Sequence, residues 1–144
     1  EMGAVEYGAD HYWLLVSLHV LFFVSLISEF IFRDGPLSSL WPMYLSIFIF
    51  AQLVRIWIIR TMKGRWTTRI IVLSNVPLVR SGPFRFVPHP NYLVVAIELL
   101  VLPLIFELWV TAVALILLNA IVLIFVRIPA ESSALKAPQV RRVD

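Results

Sequence analysis

A chain of 144 residues with 60% hydrophobic and 15% charged residues and a mean hydropathy of +0.90 fits one domain, yet is too apolar for a water-soluble one. Its net charge of +3 lies on no basic stripe of a soluble face, which excludes a nucleic-acid-binding surface. There is no cysteine, hence no disulfide, thiolate metal site or cysteine nucleophile, and His11, His19 and His89 lack metal-ligand spacing.

In chain order, Glu1 to Glu6 is acidic and carries no signal-peptide basic region. Apolar stretches follow at Tyr12–Phe32, Met43–Ile59, Tyr92–Phe106 and Leu108–Val126. Each approaches the roughly 20 residues that a spanning helix needs at about 1.5 Å per residue. They predict helices over 12–32, 43–62, 91–106 and 108–127, the last two as a tight hairpin around Glu107. Asp34-Gly35-Pro36 and Trp41-Pro42 punctuate the first connection. Between the second and third helices, Thr67 to Leu73 is rich in β-branched residues, Ser74 to Pro77 is a turn signal, and Leu78 to Val87 is extended in character.

Basic residues set the expected orientation. Arg60, Lys63, Arg65, Arg69, Arg80 and Arg85 fall in or beside the loop 63–90, and Arg127, Lys136, Arg141 and Arg142 close the chain. The positive-inside rule puts that loop and the tail 128–144 in the cytosol, and an even number of crossings puts the N-terminus there too. The fold expected is therefore an all-α integral membrane protein forming a single domain over 1–144. It has four transmembrane helices, a β-ribbon-like cytosolic loop and a cytosolic C-terminal segment.

Ionisable groups inside membrane helices are costly and usually face the bundle interior or a wet cavity. His19, Arg55, Glu98 and Asn119 all fall within roughly 6–11 Å of the cytosolic boundary when helix rise is counted. Two readings stand side by side for them: a structural cluster holding the helices together, or the polar floor of a substrate cavity open to the cytosol. Glu29, at the far end, pairs with Arg33 at i,i+4.

Ser81-Gly82-Pro83-Phe84-Arg85-Phe86-Val87-Pro88-His89-Pro90-Asn91-Tyr92-Leu93 opens the third helix. Gly82-Pro83 fixes a turn, and Pro88 and Pro90 hold His89 in extended backbone. The unpaired N–H groups that follow suit an anionic ligand group. This run resembles the signature of the isoprenylcysteine carboxyl methyltransferase family, in which Gly-Pro-aromatic-Arg-aromatic leads into Arg-His-Pro-x-Tyr. The second signature of that family, Arg-x-x-x-Glu-Glu, is matched by Arg127-Ile128-Pro129-Ala130-Glu131-Ser132. Arg55-x-Trp57 and Gly64-Arg65-Trp66-Thr67-Thr68 extend the likeness to about residues 50–135, closest to a small bacterial branch linked with methylation of alkylpyrones and related lipids.

The resemblance implies a membrane enzyme that transfers a methyl group from S-adenosylmethionine, leaving S-adenosylhomocysteine, to an oxygen of a lipophilic small-molecule or prenylated acceptor in a bacterial inner membrane. It implies that His89, Pro90 and Tyr92 line the cofactor, with Asn91 and Leu93 supplying nearby backbone. Glu131 would meet a polar group of the cofactor, and Arg127 would stand near the reacting centre or hold Glu131. The chain departs from the pattern at Pro88 and Ser132, where the family has Arg and Glu, and in its tail. Small bacterial relatives carry another membrane helix before the element seen here as Gly3 to Gly8, so a fifth helix either precedes this element or is dispensed with. The rival readings are a non-catalytic membrane scaffold and, less well matched to polar groups gathered at one end, a small transporter. No glycine-rich nucleotide loop is present.

Overall fold

The structure is a computed structural model that describes residues 4–7, 11–63, 70–73 and 79–136. Helix α1 runs Tyr12–Phe32 and α2 runs Trp41–Met62. Helix α3 runs Pro90–Leu104, and α4 (Trp109–Val122) continues through a π turn (Leu123–Arg127) into α5 (Ile128–Lys136). Among the described residues three helical spans are long and apolar enough to cross a membrane: Tyr12–Phe32, Trp41–Met62 and Trp109–Ala134. At 15 residues α3 is shorter, because Pro103 withholds an N–H near its end and the chain turns at once through Glu107, whose φ is 54°.

The helices do not pack in chain order. Substantial contacts join α2 to α3, α3 to α4, and α4 to α1, so the row reads α1, α4, α3, α2. The connection from Arg33 to Leu40 makes this possible by passing the α3–α4 turn, where the Ser38 N–H donates to the Ile105 carbonyl at 2.9 Å. The Glu29 carboxylate does the same at helix level. It accepts from the N–H groups of Val110 (3.2 Å) and Thr111 (2.7 Å), capping the otherwise unpaired first turn of α4 from α1. Arg33 lies 3.4 Å from the same carboxylate, so the expected i,i+4 pair forms, but the cap is the contact that ties two helices together.

One apolar cluster, Leu18, Phe22, Leu99 and Leu115, is shared by α1, α3 and α4. A second, Ala51, Ile58 and Val94, joins α2 to α3. Large apolar side chains such as Ile31, Phe32, Phe50, Val110 and Phe125 point outward, as a lipid-facing surface requires.

Two sequence expectations are revised between α2 and α3. Ile70–Leu73 (β2) is a strand, but its partner is Ala4–Tyr7 (β1), antiparallel with Ala4 opposite Leu73 and Tyr7 opposite Ile70. The later half of the segment, expected to be extended, contains a 3-10 turn at Gly82–Arg85, because Gly82-Pro83 supplies a positive φ of 60° followed by a fixed negative one. Helix also continues beyond Arg127 into the stretch expected as tail, as far as Lys136. The Ser74–Pro77 turn, the Gly64–Thr68 stretch with Arg65, residue Arg69, and Pro138–Asp144 lie outside the described residues.

Candidate functional site

The site grows from the way the chain enters α3. Gly82 sits so close to α2 that a Cβ there would lie 2.7 Å from Thr61 Oγ1 and 3.3 Å from Trp57 Nε1, at a φ that side chains rarely adopt. Glycine is thus required for the 3-10 turn to seat on the last turns of α2. Pro83 is buried there, and Phe84 packs on the Ile58–Val94 cluster. Seating this turn fixes the short run through Pro88 and His89, which precedes α3 at Pro90.

From that start, His89 and Tyr92 lie one helical turn apart with their rings stacked at 5.3 Å and 21°. The Tyr92 hydroxyl donates to Glu131 Oε2 at 2.5 Å, and His89 Nδ1 lies 3.4 Å from the same oxygen, an ion pair when the ring is protonated. Arg127, only 6% exposed, lies near enough to the Tyr92 hydroxyl for its positive charge to act on the phenol. Residues 39 positions apart thus meet at one phenol, which is bonded to a carboxylate and has a guanidinium nearby.

The π turn positions the second half of this constellation. Pro129 has no N–H for the Phe125 carbonyl, and its ring would crowd that oxygen in a regular α-helix. The backbone widens instead, with the Ile128 N–H donating to the Leu123 carbonyl five residues back. One extra residue in the turn rotates everything after it by about 100° relative to an unbroken helix. Arg127 is thereby buried, and Glu131 meets Tyr92.

Other expected site residues are placed differently. Pro90 is buried as the first residue of α3, and Asn91 has a buried side-chain Oδ1 with no hydrogen-bond partner among the described residues. Leu93 turns its side chain outward at 51% exposure, so only its backbone is available to the site. Arg55 and Glu98 do pair across α2 and α3. The Arg55 Nε–H donates to Glu98 Oε1 at 3.2 Å, and a second bond joins the guanidinium to Oε2. Gln52 adds a donor to Glu98 that sequence reasoning passed over, although it lies on the Arg55 face one turn earlier. Asn119 is buried at 2% exposure in α4, and its Nδ2 has no hydrogen-bond partner among the described residues. His19 does not join this group. It is exposed on α1, its Nδ1 lies 2.7 Å from the Leu15 carbonyl oxygen, and α1 stands at the opposite edge of the row from α2. Counting depth from helix ends carries no information on which helices are neighbours. Among the described residues no group of acidic, histidine or cysteine side chains could hold a metal ion.

Comparison with known proteins meets this geometry. A Bacillus subtilis protein, carrying only the name uncharacterized protein YpbQ, is 38% identical over 141 residues, which cover 98% of this chain and 83% of that one. A Haemophilus influenzae protein, likewise named only as uncharacterized, is 34% identical over 134 residues, covering 92% of this chain and 77% of that one. No solved structure matches. The family model for isoprenylcysteine carboxyl methyltransferases matches residues 44–137, a span that holds His89, Tyr92, Arg127 and Glu131 together with the helices that join them, and the chain belongs to that family.

Proposed function

We propose that this protein is an S-adenosylmethionine-dependent methyltransferase of the membrane that O-methylates a lipophilic acceptor at the cytosolic face. The acceptor class is a prenylcysteine-type carboxylate or a long-chain alkylpyrone or phenolic lipid. The observation that carries the reading is the meeting of Tyr92 and Glu131 at 2.5 Å, which brings the two separated signature segments into one site. Family membership supports methyl transfer in general, and members use S-adenosylmethionine.

The residues present fit that cofactor. Its sulfonium and α-amino groups are cationic and its ribose offers hydroxyl donors, so it calls for acceptors and a carboxylate. Glu131 keeps Oε1 for such a donor, its Oε2 being held by Tyr92, and the buried Asn91 Oδ1 is an acceptor still to be matched. The His89–Tyr92 stack offers an aromatic face for a cation or a purine. When bound, the cofactor supplies an electrophilic methyl carbon. The protein's share is to orient it and to keep the acceptor oxygen anionic and in line. Arg127, buried beside the Tyr92 hydroxyl, provides fixed positive charge for an acceptor oxyanion. Glu131 in turn offsets Arg127, so the guanidinium can remain in a dry site. An acceptor already ionised needs no further proton transfer, whereas an enol or phenol would have to lose its proton first.

The test is incorporation of labelled methyl from S-adenosylmethionine into a bacterial lipid extract by protein in lipid nanodiscs. Label in the organic phase is expected with the parent, and at least about a hundredfold less with Arg127→Met, the scale of one lost charge-stabilising contact. Equal incorporation by the variant would remove Arg127 from the reaction.

A further inference from the structure

An open groove of about 500 Å³ lies beside the site, lined by Arg80, Phe84, Arg85, Phe86, Val87 and Pro88. None of these residues contacts Glu131 in the constellation described above, so the groove is a separate feature at the same end of the helix row. Its height is set by Gly82, which touches Thr61 in the last turn of α2. The 22 residues of α2 are about 33 Å long, close to the hydrocarbon thickness of a bilayer, so their last turn ends where headgroups begin.

The chemistry of the lining is specific. Arg80 and Arg85 are both exposed, and neither has a hydrogen bond or ion pair among the described residues. Two guanidiniums lining one groove suit a phosphodiester, which each can approach with a forked pair of donors. Phe86 keeps 75% of its surface exposed and lines the groove with them, an apolar face beside the two cations. Phe84, Val87 and Pro88 complete a wall that suits a glycerol backbone and the first methylenes of an acyl chain.

We infer that this groove binds the headgroup of an anionic glycerophospholipid, its phosphate between Arg80 and Arg85 and its glycerol flank against Phe86. The inference does not depend on the chemistry proposed for Glu131 and Arg127. Because Pro88 closes the groove and His89 begins the site, a lipid seated there also braces the segment from which the site is built.

The experiment uses the full chain in nanodiscs of phosphatidylcholine with and without phosphatidylglycerol, with retained lipid read by native mass spectrometry. The parent should retain phosphatidylglycerol in preference to phosphatidylcholine. The Arg80→Gln/Arg85→Gln double variant should lose about twenty-five-fold in that preference, roughly fivefold for each arginine near the surface. Lys63→Gln, which removes a charge at the same end but outside the groove, should change it little. Equal losses in the two variants would reduce the effect to general surface charge and overturn the site. So would a parent with no preference. Binding of S-adenosylhomocysteine in pure phosphatidylcholine is the other arm. The double variant should bind as the parent does, and its loss there would assign the arginines to the carboxylate of the methyl donor instead. A melting temperature unchanged in the double variant shows that both arms read a folded protein.

Discussion

Single side chains carry the contrast between what holds the protein together and what acts. Arg55 and Glu98 keep only 24% and 20% of their side-chain surface exposed; removing Glu98 leaves Arg55 without its partner, and removing Arg55 leaves Glu98 ionised with only the neutral Gln52 amide beside it. Arg55→Met or Glu98→Gln alone is expected to cost about 1–3 kcal/mol, less than a fully buried pair because some exposure remains. The double variant should recover much of that loss, and thermal unfolding in one detergent measures all three. Their pairing was legible in the sequence, since opposite charges at similar depth in neighbouring apolar helices have few other partners. The place of His19 was not, because depth along a helix says nothing of its neighbours in the row. Glu29 shows a related limit. Its i,i+4 partner Arg33 can be read from spacing, whereas its bonds to Val110 and Thr111 join positions more than 80 residues apart.

At the scale of elements, the segment following α4 decides whether a site exists. The sequence predicts a helix through 127 and an acidic motif after it, but helix periodicity does not show that a π turn joins the two. The cue was Pro129, whose missing N–H and crowding ring forbid a regular turn around Phe125. Replacing it has opposite consequences for fold and site. Pro129→Ala restores one backbone donor and permits an unbroken α-helix, so the melting temperature is expected to hold or rise. Glu131 would then rotate by about 100° away from Tyr92, and affinity for S-adenosylhomocysteine should fall roughly tenfold or more, the worth of a hydrogen bond to a charged group. A parallel loss of stability and affinity would show instead that Pro129 merely supports the fold. The Gly82 turn was the better-marked element. Gly-Pro announces a turn in any sequence, although its extended continuation gave way to a 3-10 turn because the turn had to fit against Thr61 and Trp57.

For the whole molecule, composition and apolar runs were enough to indicate helices in a membrane, and among the described residues three spans meet the length for crossing. The row order α1, α4, α3, α2 was hidden, since it depends on a connection that passes the α3–α4 turn through Ser38. Orientation is a property of this scale, and the absence of cysteine makes it simple to measure. With the basic end in the cytosol, Lys63→Cys should react with a membrane-impermeant maleimide only after cells are opened. Ser39→Cys, at the opposite end, should react in intact spheroplasts; the reverse pattern would invert the topology. The central claim is that chain topology brings two distant signature segments into one cofactor site. Calorimetric titration of the purified protein with S-adenosylhomocysteine, parent against Glu131→Gln, tests it most directly. The account predicts a dissociation constant on the order of micromolar for the parent. It predicts weakening of about ten- to a hundredfold in a variant that still melts as the parent does. Equal affinity in the two proteins, or no binding by the parent, would contradict it.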